Sequence, residues 1–536
     1  MNDAERFRNV KRENAAAKGI IVKLTRSLHP NIIMADQEEW STHASKALEI
    51  SIVQAGARSP KTLSTFHPLF TYPIFGDEEQ IFGYQNLRIN LRFAAHDLRP
   101  NIEVLYDKKF KAVGDTKATN IEETLRDWTP EVSFEKVGAF NSHIQNDSSA
   151  KQYKPPGELL ESYNNRGRRF EIWSGELTDP AIQKVIERIQ ILISFFIEGG
   201  TPLLLDDKDW TLSRWRVYFV YEKLSDLPSP NASPYSIVGY STTYRWFTYV
   251  PNKSAKPSTQ DFSLPLENPI TPNLLPARDR IAQFLILPSH HSHGHGTHLY
   301  NAMVKVFLAD PTCLEITVED PNEAFDDLRD YCDYNRLRNN GTLAKISLKT
   351  DIDPKLSQKR PGVRVPTSKL LDVPLLERIR KENKIAPRQF YRLVEMCLLS
   401  RIAPHARQAG TARLTQRGRS SNPDDKAFYY WRLLVKQRIY KKNKDVLIQL
   451  DRAERVDKVE QTVGEQAGDF ERLLRGMEKW NGGDSGGSSE RIRTGKRKVI
   501  ADDDDDDDDD DEEDGTMSTD GVGASAAKKM RIDDGT

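Results

Sequence analysis

The stretch QFLILPSHHSHGHGTHLY, Gln283–Tyr300, holds five of the chain's eleven histidines: His290, His291, His293, His295 and His298. Residues of this type can ligate a metal or line an anion site. Zinc needs three or four ligands converging at about 2 Å, usually with a supporting outer layer. Here the histidines alternate with Gly294 and Gly296 on a tight turn, so neighbouring rings point apart, and no cysteine lies nearby. No metal is expected. The backbone offers the other chemistry. Glycine lacks Cβ and reaches unusual φ values, so successive amides can face one point. A following helix adds unpaired N–H groups and the positive end of its dipole. Together these make a pyrophosphate cradle, to which protonated imidazoles would add positive charge. The loop lacks the Gly-Lys-Ser/Thr ending of a nucleotide P-loop, and the chain order around it is not that of a dinucleotide fingerprint.

A second cluster, EITVEDPNEAF, sets Glu319 and Asp320 side by side. The run Asp320-Pro321-Asn322-Glu323 reads as a helix start, with the acid as N-cap, Pro at the first helical position and Glu at the third. Glu319 is left at the end of a strand, where α/β folds open their crevices. Taken alone, such a glutamate reads as a solvated surface acid.

The elements that must position these residues follow from periodicity. FGYQNLRINLRFA alternates polar and apolar residues over Gln85–Phe93, as a half-buried strand does; RRFEIWSG is a further strand. In DPAIQKVIERIQILISFFIEGG, Asp179 is an N-cap, Pro180 suits the first helical position, and Gly199 and Gly200 stop the helix. Ile182, Val185, Ile186, Ile189 and Ile193 form its apolar stripe. WRVYFVYEK and YSIVGYSTTYRWFTYV are joined by a Pro/Ser/Asn segment and predict an antiparallel pair. Ile281–Leu287 is nearly all apolar, so both faces of that strand should be covered. After the histidine loop, Leu299, Tyr300, Met303, Val304 and Phe307 recur at helical spacing. CLEITVED is a short strand with Leu314, Ile316 and Val318 on one face, followed by another helix. The succession defines an α/β layer fold. FYRLVEMCLLSRI and FYYWRLLVKQRIY then carry helical stripes with many bases.

At 536 residues the chain has room for two or three domains. No apolar run is long enough to span a membrane, and no apolar segment precedes a cleavage site near the start. Three widely spaced cysteines, Cys313, Cys332 and Cys397, read as reduced core residues of an intracellular protein. The formal net charge of −1 conceals an asymmetry: residues 502–514 are thirteen consecutive acids, and without them 66 acids face 78 bases. Such a run repels itself and has nothing apolar to bury. It is either a solubilising tail or a mimic of nucleic-acid charge that attracts a basic partner such as a histone. The expected organisation is a leader at 1–33, a strand-rich N-terminal domain at 34–170, an α/β domain at 171–355, a helical domain at 356–480 and a tail at 481–536. GKRKV and AKKMRI in the tail resemble nuclear import signals.

The histidine loop is similar to the one by which GNAT-superfamily acetyltransferases hold the pyrophosphate of acetyl-CoA, whose usual pattern is Gln/Arg-x-x-Gly-x-Gly/Ala. Further stretches sharpen the likeness. FGDEEQIFGYQNLRI, FFIEGG, VGYSTTYRWF, AQFLIL…GHGTHLY and EITVEDP occur in one order, and together they resemble the catalytic subunit of the type B histone acetyltransferase. The resemblance spans about residues 34–480 and is weakest around 100–165 and 405–425. It departs in the loop, where the family usually has Gln-Gly-Gln-Gly-His-Gly and this chain has His291-Ser292-His293-Gly294-His295-Gly296.

The resemblance implies a GNAT-type mixed sheet with flanking helices, a strand-rich N-terminal domain that binds substrate and a helical C-terminal domain. It implies acetyl-CoA lying along Phe284, Leu285, Ile286 and Leu287, with His291, His293, Gly294, His295 and Gly296 at the pyrophosphate. It makes Glu319 the general base, with Glu198 of FFIEGG and Asp320 as further carboxylates of the site. A lysine amine has pKa about 10.4 and must lose a proton before attack; partial burial raises a carboxylate toward that task. Asp77 and Glu79 match acids of the family's peptide groove, Tyr244 is an aromatic wall, and Trp210 or Trp215 is the wall tryptophan. Transfer is direct, with no cysteine nucleophile. The implied partners are the tail of newly made histone H-four and a WD-repeat histone-binding subunit, in cytoplasm and nucleus. Neither a membrane nor sequence-specific nucleic acid is expected as a partner. Two other readings remain: a GNAT enzyme acting on another amine, and a non-catalytic histone escort with an acidic tail and a degenerate CoA loop.

Overall fold

The computed structural model describes residues 39–248, 275–351, 369–407 and 420–481. The leader, the acidic run and the basic clusters of the tail lie outside the described residues. The described residues form two compact units. The first runs to Arg336 and takes in Arg378–Phe390; the second holds Leu337–Glu377 and the residues from Tyr391 on.

The first unit is built on two large sheets, beside which lie two two-stranded ones. Its N-terminal sheet comprises β1 (Leu48–Gln54), β2 (Lys61–Phe66), β3 (Arg88–Ala94) and β4 (Pro100–Leu105), in the order β2-β1-β3-β4. Only β1 and β3 run parallel. The strand expected over Gln85–Phe93 starts later, at Arg88, because Asn86 takes a left-handed φ of 55° and turns the chain. Short polar side chains such as asparagine tolerate that conformation.

The larger sheet follows: β5 (Glu158–Asn165), β6 (Arg168–Glu176), β7 (Trp215–Lys223), β8 (Tyr235–Phe247), β9 (Ala277–Ile286) and β10 (Cys313–Val318). Neighbours in sequence are neighbours in space, and every pair is antiparallel except β9–β10. The expected mixed sheet with flanking helices is therefore present. The expected domain boundary at 170/171 falls inside β6, which pairs with both β5 and β7.

Alternation along β7 distributes the core. Val217, Phe219 and Tyr221 face one layer, and Tyr218 and Val220 face the other. On the first side lies α1 (Pro180–Ile189), whose Ile182, Val185, Ile186 and Ile189 are buried. Asp179 caps it, accepting from the Ala181 amide at 2.8 Å. The expected single helix breaks after Ile189 into a 3-10 turn and a short helix, Ile193–Phe196. All of Ile191–Phe196 is buried, so no amphipathic stripe persists to keep one helix on one face. On the second side lies α2 (His295–Ala309), burying Leu299, Tyr300, Met303, Val304 and Phe307. Each such apolar side chain contributes roughly 1.5–3 kcal/mol, and together they seat the helix that follows the histidine loop.

After β10 comes α3 (Glu323–Asn339). The expected cap at Asp320 is not formed. Asn322 Oδ1 accepts from the Phe325 amide at 2.9 Å, and the Asn322 carbonyl accepts the first helical bond, from Asp326. Asn caps as well as Asp does, and Pro321 then simply precedes the cap. Of the β10 face expected to be apolar, Ile316 is buried but Leu314 is 45% exposed, as befits the sheet's outermost strand.

The second unit is helical, as expected from its stripes: α4 (Pro387–Ser400, which begins in the first unit), α5 (Pro423–Lys442) and α6 (Arg452–Asn481). Trp431 is fully buried and donates Nε1–H to the Glu395 carbonyl at 2.8 Å. The Glu395 carboxylate is paired with Arg438 at 2.7 Å.

Candidate active site

The site lies where β9 and β10 part. They pair only from Ala277↔Cys313 to Ile281↔Val318, and the Glu319 amide closes the ladder on the Ile281 carbonyl at 2.9 Å. Beyond this point β9 runs on to Ile286 without β10. Its register against β8 shifts at Thr242/Thr243, where Ala282 is the extra residue. Such a bulge turns over the faces of the residues that follow. Accordingly Ile281 packs with the α2 side while Leu285 and Leu287 join the α1 side.

The bulge also decides which main-chain groups are open. Leu287 donates its amide to Val238 at 2.8 Å. By antiparallel alternation, Leu285 and Leu287 spend their main-chain groups on β8, and those of Phe284 and Ile286 point into the gap. Of the four residues expected to offer main-chain groups, Leu285 and Leu287 therefore have theirs turned to β8, and the Ile286 carbonyl is held by His291 Nε2 at 2.6 Å.

The loop is bent by two left-handed residues, Ser292 (φ 59°) and Gly294 (φ 81°). Gly294 is the N-cap of α2, and no side chain caps the helix. The first-turn amides are thus left for another acceptor. Gly296 serves close packing: a Cβ there would stand 3.3 Å from Leu328 and 3.6 Å from Phe284.

The imidazoles are spent within the loop's own packing. His295 is buried, with Nδ1 2.8 Å from Tyr163 Oη and its ring 4.3 Å from Phe170. His298 stacks on Tyr163 at 3.8 Å. His291 Nε2 lies 2.6 Å from the Ile286 carbonyl, so that nitrogen carries the proton. Burial pushes His290 down to about 4 and His295 down to about 3, with neighbouring cations and histidines adding to the effect. Burial also lowers His293 and His298. The expectation of added positive charge from protonated histidines is therefore corrected for these four rings, His290, His293, His295 and His298, which burial drives toward the neutral form. Among the described residues no group of three or more His, Cys, Asp or Glu is placed to hold a metal. Positive charge near the loop comes from Arg166 and Arg168, which act on His293 from the β5–β6 hairpin. Sequence reasoning missed this hairpin. Its Tyr163 holds His295 and His298, and Asn165 Nδ2 donates to the His293 carbonyl. A two-residue Arg166-Gly167 turn between strands was the available signal.

At the other end of the gap stands Glu319. Its side chain is open to solvent on one side, yet burial raises its pKa above the ordinary glutamate value, with Arg280 opposing and Asp320 assisting. Asp320 takes a left-handed φ of 36°. Glu198 is exposed in the turn after Ile193–Phe196, and that turn is tied to β9 where Gln283 Nε2 donates to the Thr201 carbonyl at 2.9 Å. Ile281 and Gln283, two residues apart, thus anchor the segments that carry both glutamates. The thiols are buried, and burial pushes the Cys313 and Cys332 pKa values far up, which keeps them protonated.

Tyr244 pairs with Trp215 across β7–β8, with ring centroids 4.8 Å apart. Trp210 stands apart, 55% exposed, with Arg214 5.9 Å from its ring. Of the two tryptophans, Trp215 is therefore the one that packs on Tyr244. Asp77 is exposed; the Glu79 carboxylate accepts from the Thr71 amide at 2.8 Å and hydroxyl at 2.7 Å, which gives it a structural task in its loop.

A curled mixed sheet that opens at its single parallel pair, with a glycine-bent loop and helix at one lip and a carboxylate at the other, defines an acetyltransferase fold of the GNAT type. Residues 40–198 match the family model described as "Histone acetyl transferase HAT1 N-terminus", and residues 355–402 that described as "Fungal HAT1, C-terminal". The histone acetyltransferase type B catalytic subunit of Aspergillus oryzae is 47% identical over 82% of this chain and 87% of its own length. That of Aspergillus fumigatus is 47% identical over 84% and 79%, and that of Neurospora crassa 34% identical over 94% and 100%. The chain belongs to the family of histone acetyltransferase type B catalytic subunits. A solved aminoglycoside acetyltransferase from a soil metagenome covers 32% of this chain and 86% of its own at 15% identity and a TM-score of 0.18, too slight a likeness to add to this.

Proposed function

We propose that this protein transfers an acetyl group from acetyl-CoA directly to lysine side-chain amines on the tail of newly synthesised histone H-four, with Glu319 as general base. The observation that carries this reading is the joint at Ile281, whose carbonyl holds Glu319 at the point where β9 leaves β10 and runs on toward the Gly294 loop. The outward main-chain groups of Phe284, the Ile286 amide and the uncapped α2 terminus suit the pantetheine arm and pyrophosphate of acetyl-CoA, which supplies the activated thioester. Glu319 takes the proton of the lysine ammonium. The freed amine attacks the thioester carbonyl, the C–N bond forms, the C–S bond breaks, and the departing thiolate takes up the second proton of the amine to leave as the free thiol of CoA. A carboxylate with a raised pKa accepts that proton more readily than an ordinary one. Glu198 and Asp320 add negative charge that favours a cationic side chain. The wall of Trp215 and Tyr244 suits the alkyl stem of a lysine, and the exposed Asp77 suits a basic peptide.

In this reading a WD-repeat histone-binding subunit presents the tail, the acidic run at 502–514 draws in histones, and the protein works in cytoplasm and nucleus. The test is mass spectrometry of core histones incubated with the protein and acetyl-CoA, before and after Glu319→Gln. Acetyl marks on histone H-four tail lysines from the unaltered protein, slowed by roughly 10²–10⁴-fold in the variant, are expected. Equal rates from the two proteins would remove Glu319 from its role, and no transfer at all would favour a histone escort.

A further inference from the structure

Four side chains form one row across the larger sheet. Trp215 on β7 is opposite Tyr244 on β8, Tyr244 is opposite Arg280 on β9, and Arg280 is opposite Thr317 on β10. Partners in register point to the same face, and so does the residue two further along. The row therefore ends beside Glu319, two residues after Thr317. The Arg280 guanidinium lies 5.8 Å from the Tyr244 ring centroid and 5.4 Å from that of Trp246. Trp246 is 50% exposed, so the stack faces outward, while Arg280 Nε is buried with no hydrogen-bond partner among the described residues. An arginine whose side chain only braced the sheet would satisfy that nitrogen. The guanidinium is held by the Tyr244 and Trp246 rings and by a hydrogen bond with Tyr244, which fixes its charge in place.

We propose that Arg280 is a positioning residue for acetyl transfer, which braces the rings of Tyr244 and Trp246 and sets a fixed positive charge beside Glu319. This rests on Glu319 being the base. The groups that face Glu319 are Arg280 from β9, Tyr244 from β8 and Asp320 in its own turn. Burial and Asp320 drive Glu319 toward the protonated form, in which it cannot accept the lysine proton, and Arg280 drives it back. The charge thus keeps a partly buried base usable at neutral pH.

Arg280→Gln removes the charge, and Arg280→Lys keeps it while losing the flat stack. The measurement is the pH profile of kcat for acetylation of a histone H-four tail peptide at saturating acetyl-CoA, with peptide KM alongside. In R280Q the acid limb should move to higher pH, so that the rate falls several-fold at the acid end and little at the alkaline end. In R280K the limb should stay in place while peptide KM rises several-fold. A wild-type limb in R280Q, or a displaced limb in R280K, overturns the proposal. If R280Q does not fold, as judged by its thermal transition, R280K alone decides by the same criterion. Glu319→Gln distinguishes failure of the base from failure of Arg280. A limb that survives in E319Q refutes the base. A limb lost in E319Q but unmoved in R280Q refutes only Arg280.

Discussion

At the end of β10 two acids follow one another, and the backbone treats them differently. Glu319 continues the ladder through its amide, while Asp320 swings to a positive φ. The first has a raised pKa because burial disfavours its charge. In its proposed role the sign of the pH dependence follows: a base acts only when ionised, so transfer should be lost as pH falls through a value above the free-glutamate value of about 4.3. A kcat profile should show a limb that Glu319→Gln abolishes, while calorimetric binding of acetyl-CoA persists. Gly294 carries a different burden. Its φ of 81° costs a residue with a Cβ roughly 1–2 kcal/mol. Gly294→Ala should therefore lower the thermal midpoint and weaken acetyl-CoA binding together, as read by calorimetry.

Elements place these residues. Helix α3 is the clearest case, because two candidate caps differ by one short turn. Asn322 holds the Phe325 amide, so Asn322→Ala should cost about 1 kcal/mol in chemical denaturation. Asp320→Ala should cost less stability, because Asp320 caps nothing. A larger loss for Asp320→Ala would restore the cap read from sequence. The β5–β6 hairpin has the corresponding role at the loop, where its Tyr163 ring and hydroxyl hold two imidazoles.

On the scale of the first unit, the N-terminal sheet is tied to α1 by Arg188, which donates to the carboxylate of Asp97 at 2.6 Å and to its carbonyl at 2.8 Å, and to the larger sheet by the Ile237 amide, which donates to the Ala95 carbonyl at 2.9 Å. Burial would raise Asp97, but His96 and Arg188 outweigh it and hold its pKa below the usual range. A depressed folded-state value adds stability above the unfolded value of about 3.9, lost as pH falls through the lower folded value. Asp97→Asn leaves Arg188 buried without its counter-charge, which costs roughly 3–5 kcal/mol. Denaturation midpoints should show that loss at pH 7, and the difference should narrow as the solution is acidified.

Much of this protein was legible in its sequence because the signals are local. Stripes such as Ile182-Val185-Ile186-Ile189 specify a helix and its buried face. The Asp179-Pro180 start, the β7–β8 pair and the strand–glycine–helix passage at Gly294 each depend on a few consecutive residues. What tertiary structure alone decided depends on partners far along the chain. The extra residue at Ala282 settles which main-chain groups of β9 are open, and that is a matter of register with β8. Whether the loop histidines carry charge is set by burial against Tyr163 and Phe170, more than a hundred residues earlier. The row from Trp215 to Thr317 exists only because four strands share one register, and no periodicity within a single strand encodes the alignment of its neighbours.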